Sequence, residues 1–226
     1  MEAVSANGNA LSAYEFLGED TLRGFADQGD SAAMVIIGAN AVVRAFDMDP
    51  SLAVDWLNHK QQINDLNFGK EELSATASLE LNDAAYWFYE AAMRGRLLAL
   101  QNYGQVRGRL FGGPVGLGWI TREEYDALSA SEKTSIDPAN VYNQVAYDIA
   151  PALRKGALGG LSRMIPQSAL QQAIRQDLVT EFEQTLSDSG LPAIEVAPTA
   201  SSEIEALFGQ ICESEKQEEL RRRSLE

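Results

Sequence analysis

The chain is poor in cysteine and histidine, and this excludes several kinds of site. Among 226 residues it has one cysteine, Cys212, and one histidine, His59. A single cysteine excludes an internal disulfide and a zinc site built from cysteines. His59 has no second histidine or cysteine nearby, so it does not complete a metal-binding or general-base pattern. We therefore expect no metal site and no cofactor.

Positive charge is also scarce. The chain has 18 Lys and Arg against 33 Asp and Glu, for a formal net charge of −15. A field of this sign repels the phosphate backbone of nucleic acids and anionic lipid surfaces. No apolar run approaches the ~18 residues that are needed to cross a bilayer. We expect neither a nucleic-acid partner nor a membrane span.

The two ends of the chain bear on its compartment. The opening MEAVSANGNALSAYEF has neither a basic leader nor an apolar segment, so we expect no signal peptide in this form. The closing residues Leu225 and Glu226 resemble a remnant of an expression tag. The sequence leaves the compartment open between the cytoplasm and, if a signal peptide has been trimmed, the periplasm or the exterior.

No catalytic signature is present. The glycines of FGGPVGLG, residues 111–118, follow a predicted helix and lack the order of a phosphate-binding loop, so we interpret them as a turn. The pair Glu123 and Glu124 has no third group to tune it, and Ser162 lacks the GxSxG elbow. We predict no enzymatic activity; the alternative, an undetected enzyme, would be favoured by His59 in a cleft beside two carboxylates.

Helix signals are frequent and strand signals are few. Asp49 followed by Pro50 favours a helix start, and Thr121 with Glu124 and Ser202 with Glu205 have capping-box spacing. Apolar periodicity predicts helices at 31–46, 82–94, 96–110, 138–155, 167–187 and 202–223. Pro151 is expected to kink or divide the helix at 138–155. Loops are predicted at 111–119, 129–138 and 189–202, and the fold class is all-α.

A pattern of small residues occurs twice. Residues 25–38, FADQGDSAAMVIIG, align with residues 91–104, AAMRGRLLALQNYG. The matched small residues are Ala26, Gly29, Ala33 and Gly38 in the first copy and Ala92, Gly95, Ala99 and Gly104 in the second. Each central glycine is expected to end a helix in the left-handed conformation, and the small residues beyond it permit close helix packing. Trp56 in a degenerate copy at 50–68 aligns with Trp87.

The second copy resembles the SEL-one-like repeat, a relative of the tetratricopeptide repeat. The matching positions are Ala84, Trp87, Phe88, Ala91, Ala92, Gly95, Ala99 and Gly104, with Tyr103 in place of the expected leucine and Arg107 in place of an aromatic residue. The resemblance implies stacked antiparallel helical hairpins in a short right-handed α-α superhelix. It also implies an adaptor surface for other proteins, without catalytic residues at the matched positions.

These observations predict a helical-repeat domain over residues 1–188. Its clearest repeats lie at 21–46 and 82–118, and a weak copy lies at 141–165. A linker at 189–201 precedes an amphipathic helix with a charged tail at 202–226. The apolar residues of that helix, which could support self-association through 202–211, are Ile204, Leu207, Phe208 and Ile211.

The expected function is non-catalytic binding of a protein or peptide on the exposed repeat surface. Two roles are open for a group of four arginines: they bind an acidic peptide, or they pair with neighbouring carboxylates. The four are Arg94, Arg96, Arg107 and Arg109. Arg96 and Arg107 are expected to share one face of the helix at 96–110. The alternatives are a self-associating structural protein and a module that binds a small molecule or envelope polymer. A pocket lined by Trp56, Trp87 and Tyr103 would favour the latter.

Overall fold

The described part of the chain is built from helices joined by turns. A computed structural model describes residues 16–49, 51–58, 72–151 and 168–191, together with Leu11 and Tyr14. No strand occurs within these ranges, which confirms the all-α prediction for them. The helices are α1 (Glu19–Asp27), α2 (Ser31–Ala45), α3 (Leu52–Asn58), α4 (Ala75–Met93), α5 (Ala99–Phe111), α6 (Gly113–Gly116), α7 (Arg122–Ala127), α8 (Ala130–Ser135), α9 (Pro138–Ile149) and α10 (Ala169–Ser189).

The chain divides into two units, Met1–Glu195 and Val196–Glu226, and every described residue belongs to the first. Among the described helices, none is both long enough and apolar enough to cross a bilayer. The predicted helix and tail at 202–226 lie outside the described residues.

For three further predictions, the structure describes only part of the residues concerned. The degenerate copy at 50–68 is described for residues 51–58, where it forms α3, and the side chain of Trp56 lies outside the description. The weak copy at 141–165 is described only as far as Pro151, and the linker at 189–201 only as far as Leu191.

Two glycines turn the chain from α1 into α2 and from α4 towards α5. Gly29 has φ of +92° and Gly95 has φ of +91°. The N–H of Gly29 donates to the carbonyl of Ala26 at 2.8 Å, and that of Gly95 donates to Ala92 at 3.0 Å. In both turns the next N–H donates to the carbonyl five residues earlier, which completes a Schellman motif. The break predicted at Gly95 is therefore present, and its geometry matches that at Gly29.

The second helices of the two hairpins begin differently. Asp30 follows the first glycine, and its carboxylate accepts the N–H groups of Ala32 and Ala33 at 2.8 and 3.1 Å, so α2 starts at once. Arg96 holds the same place after Gly95 and carries no acceptor. Residues 96–98 form a turn, and α5 starts only at Ala99 without a side-chain cap. Arg96 therefore precedes α5, although the prediction placed it in a helix at 96–110.

Gly95→Val is expected to lower the free energy of unfolding by more than ~1 kcal/mol, because a β-branched residue is strained at positive φ. Gly95→Asn is the matched control and should cost less, since asparagine tolerates the left-handed region. Urea denaturation followed by circular dichroism measures both. A valine variant as stable as the native chain would rule out the left-handed turn at this position.

Glycines on the second helices allow successive long helices to approach closely. A Cβ atom at Gly38 in α2 would lie 2.8 Å from the Phe88 ring in α4. A Cβ atom at Gly104 in α5 would lie 2.4 Å from the carbonyl oxygen of Pro138 in α9. Both distances are shorter than any relaxed carbon contact. The packing of α2 on α4 and of α5 on α9 therefore depends on glycine.

The described residues that were predicted to serve repeat packing differ in burial. Those that are buried are Ala33, Gly38, Trp87, Ala91, Ala92, Ala99 and Gly104. Gly29 and Gly95 are exposed, so they act through backbone conformation and not through burial. The most completely enclosed helix is α2, which packs between α1, α3 and α4. A separate cluster, made by Ile120, Ile136, Val141 and Ile174, lies among the later helices.

Local caps explain where the helix boundaries differ from prediction. Helix α4 starts at Ala75 and not at residue 82, because the Ser74 hydroxyl accepts the N–H of Ala77 at 3.0 Å. The loop predicted at 129–138 contains α8, which begins with a capping box formed by Ser129 and Glu132.

Three smaller differences concern the later helices. The turn predicted at 111–119 includes the short helix α6. Helix α9 ends at Ile149 and not at residue 155, in agreement with the effect expected of Pro151. The capping box predicted for Thr121 and Glu124 is confirmed at the start of α7.

Candidate functional site

A cleft of about 400 Å³ opens between α1, α2 and α4. Its lining residues are Glu19, Arg23, Arg44, Leu79, Glu80 and Asp83. Three carboxylates thus face two guanidinium groups, and one apolar side chain stands beside them. We refer to this feature as the charged cleft.

Arg44 connects the three helices of the charged cleft. Its Nη1 donates to Glu19 Oε2 at 2.8 Å and its Nε donates to Glu80 Oε2 at 2.9 Å. Arg23 donates to the other Glu19 oxygen at 2.7 Å. These side chains are partly exposed, so solvent screens each ion pair and its net contribution is at most ~1 kcal/mol. The main effect of the network is to hold the carboxylates in fixed positions.

Asp83 is oriented by a buried tryptophan. The Trp87 indole N–H donates to Asp83 Oδ1 at 3.1 Å, and the Trp87 side chain is only 8% exposed. The other oxygen, Oδ2, lies 3.7 Å from Arg23 Nη2 and 3.9 Å from Arg44 Nη2. These separations exceed hydrogen-bond distance, although the charges still attract.

An exposed stripe on α4 borders the charged cleft. Leu79, Asp83 and Tyr86 are spaced by four and three residues and so lie on one face of the helix. Leu79 is 71% exposed and Tyr86 is 55% exposed. The Tyr86 ring packs edge-on against Trp87 at 5.1 Å between ring centroids. We call these three residues the α4 stripe.

Three of the four arginines predicted as a partner-binding group contact different residues. Arg94 pairs with Glu90 on α4, and Arg96 Nε donates weakly to Ser31 Oγ at 3.5 Å. The Arg107 guanidinium carbon lies 4.3 Å from the Phe111 ring centroid, and Arg109 follows on the same helix. The prediction that Arg96 and Arg107 share a helix face is wrong, because Arg96 lies in the turn before α5.

Asp30 and Arg96, which follow the two glycine turns, attract each other electrostatically. The Tyr14 hydroxyl donates to Asp30 Oδ2 at 2.5 Å. Burial acts to raise the pKa of Asp30, but the hydrogen bonds from Tyr14, Ala33 and Ala32 and the charge of Arg96 bring it below its usual 3.8. Burial lowers the pKa of Arg96, which the charge of Asp30 partly opposes.

Acidification should weaken the fold through Asp30. A carboxyl whose pKa is lowered by folding stabilises the native state above its unfolded pKa, and this stabilisation is lost as the pH falls through the lower native value. Asp30→Asn retains a helix cap but cannot ionise. We expect it to be less stable than the native chain at neutral pH and to lose less stability below about pH 4. Urea denaturation across this range measures the difference; parallel curves would contradict it.

A chain of aromatic rings joins α4, α5, α9 and α10. Tyr103 lies 5.1 Å from Tyr89 and 5.0 Å from Tyr142, measured between ring centroids, and Tyr89 lies 5.6 Å from Phe182. Burial raises the pKa of Tyr103 and of Tyr142, so both hydroxyls are neutral at physiological pH. Trp87 makes its ring contact with Tyr86 instead. Tyr103 and Trp87, whose presence in one pocket would favour the small-molecule alternative, therefore belong to different contact groups.

In the ranges that the structure covers, no group of three or more His, Cys, Asp or Glu side chains is arranged to hold a metal ion. His59 and Cys212 lie outside those ranges.

Sequence reasoning missed the charged cleft. One signal was available, because Glu19 and Arg23 have the spacing of a helical ion pair. The contact between Arg44 and Glu80 joins residues 36 apart, and no local pattern indicates it.

Comparison of the chain with family models, with curated proteins and with solved structures finds no match. The function is therefore argued from the site itself. Among the described residues, the lining of the charged cleft offers carboxylates, guanidinium groups and a leucine.

Proposed function

We propose that the chain is a non-catalytic protein-interaction module built from SEL-one-like hairpins, which stack into a short right-handed superhelix. In this proposal the charged cleft and the α4 stripe form the surface that binds a protein or peptide.

The repeat part of the proposal is supported by the two glycine turns. Gly29 and Gly95 have nearly equal φ angles and the same pair of backbone hydrogen bonds. Gly38 and Gly104, which stand at equal distances beyond them, both meet the next long helix. Repeat arrays bury contacts only between neighbours, and this leaves an extended surface for partners.

The α4 stripe is the observation that carries the binding part. A leucine and a tyrosine that are more than half exposed stand on either side of an oriented aspartate. Interfaces combine apolar and tyrosine contacts with a polar rim in this way. The ion pairs already fix the neighbouring carboxylates, so a partner would order few side chains on binding.

Affinity capture from the native host tests the proposal with a matched control. Leu79→Asp places a charge in the α4 stripe, whereas Leu98→Asp changes a leucine of 38% exposure just before α5, outside the cleft lining. We expect a protein retained by the native chain and by the Leu98 variant to be lost with the Leu79 variant. Circular dichroism confirms that both variants fold. Equal retention by all three chains would refute binding at this surface.

A further inference from the structure

We infer that the partner segment entering the charged cleft is basic: a lysine or arginine side chain placed between apolar residues. This inference rests on the proposed function and specifies the chemistry of the partner.

Two carboxylate oxygens in the cleft are open to a donor. Asp83 Oδ2 is attracted by both guanidinium groups, but neither nitrogen reaches hydrogen-bond distance. Glu80 binds Arg44 through Oε2, and among the described residues nothing donates to its Oε1. An ammonium or guanidinium group could therefore bind these oxygens without breaking an existing hydrogen bond.

The charge balance points the same way. The lining contains one more carboxylate than guanidinium groups. Hydrogen bonding to Glu19 raises the pKa of Arg23, and the charges of Glu19, Asp83 and Asp20 add to this effect. Asp20, next to Glu19 in the first turn of α1, adds a further nearby negative charge. In a chain of net charge −15, a cationic segment is attracted both locally and at long range.

An anionic segment fits the cleft poorly. Arg44 already donates through Nε and Nη1, and Arg23 through Nε and Nη2. An incoming carboxylate could use only the remaining N–H groups of the two arginines, and there it would lie close to the carboxylates of Glu19 and Asp83, which repel it.

The α4 stripe sets the spacing of the apolar residues. Leu79 and Tyr86 are seven residues apart on a helix that rises 1.5 Å per residue, which separates them by roughly 10 Å. Two leucines three positions apart in a peptide with polyproline II conformation, which has three residues per turn, lie on the same side and are separated by a similar length, about 9 Å. A Leu-Lys-Lys-Leu segment therefore matches both the apolar side chains and the open carboxylates between them.

The test uses a fluorescently labelled peptide that contains Leu-Lys-Lys-Leu and its counterpart with Leu-Glu-Glu-Leu. Fluorescence anisotropy with the full chain should show at least about tenfold tighter binding of the lysine peptide, weakening as salt is added. Equal binding of the two peptides, or preference for the glutamate peptide, overturns the inference.

Matched variants separate the cleft from general charge attraction. Asp83→Asn removes the charge but keeps an oxygen for Trp87, and we expect it to weaken lysine-peptide binding by about fivefold. Glu183→Gln removes one charge from an exposed position on α10 and should leave binding nearly unchanged. Equal weakening by the two variants would mean that the whole field attracts the peptide, and the inference fails.

Failure of the inference can be distinguished from failure of the proposed function. If Leu79→Asp abolishes capture of a partner and the lysine peptide does not compete for it, the surface is correct and the basic chemistry is wrong. If the lysine peptide binds in an Asp83-dependent manner and no captured protein depends on Leu79, the chemistry is correct and the adaptor function is wrong.

Discussion

Gly104→Ala is expected to destabilise the chain by about 3 kcal/mol, although alanine is the better helix former. The added Cβ would lie 2.4 Å from the Pro138 carbonyl oxygen and 2.7 Å from the Tyr142 ring. A backbone oxygen cannot rotate away as a side chain can, so α5 and α9 must move apart. Thermal unfolding should show a fall in Tm of roughly 6–12 °C for this loss.

Gly24→Ala is the matched control for that result. Gly24 lies in α1, is exposed, and has no atom within 4 Å of a built Cβ. The same substitution should there stabilise the chain by roughly 0.5–1 kcal/mol through helix propensity. Opposite signs at the two positions would establish close packing as the cause. A Gly104 variant as stable as the Gly24 variant would contradict the contact between α5 and α9.

Phe88→Ala is expected to lower the free energy of unfolding by about 3–5 kcal/mol. The ring is fully buried in α4 and fills the space beside Gly38 in α2. Alanine would leave a cavity between these helices, which are packed more extensively than any other pair of described helices. Tyr86→Ala, two residues earlier on α4 and 55% exposed, should cost far less. Urea denaturation of both variants gives the comparison.

A double-mutant cycle tests the contact itself. Gly38→Ala alone should destabilise, because its Cβ would lie 2.8–3.0 Å from atoms of the Phe88 ring. In a Phe88→Leu background the ring is absent, so the same substitution should cost less. We expect a coupling free energy of about 0.5–3 kcal/mol. Additive costs within experimental error would mean that the two side-chain positions do not meet.

The features that could be predicted from sequence are those with local causes. A glycine that ends a helix and a cap such as Asp30 both act within a few residues, so the turn at Gly29 and the start of α2 follow from a short stretch. The Thr121 capping box is of the same kind. Ser129 and Glu132 have the same capping-box spacing, which indicates a helix start. The loop predicted at 129–138 was wrong because the prediction followed the polar composition of this segment and not its capping box.

The candidate site could not be predicted, because it depends on contacts between distant parts of the chain. Arg44 reaches Glu80 only once α2 has packed on α4. In the sequence alone, carboxylates of a helix surface such as Glu80 and Asp83 cannot be distinguished from ordinary solvated charge. The position of Arg96 was mistaken for a related reason: the prediction extended α5 through a turn that lacks a capping side chain.

The electrostatic attraction between Asp30 and Arg96 has a consequence for cooperativity. Asp30 caps the second helix of one hairpin, and Arg96 is a half-buried charge in the turn of the next. If the first hairpin unfolded alone, Arg96 would lose the nearby carboxylate that offsets the cost of its burial. The second hairpin would then lose stability with the first. Coupling of this kind favours unfolding of the two hairpins in one transition over separate loss of the first hairpin.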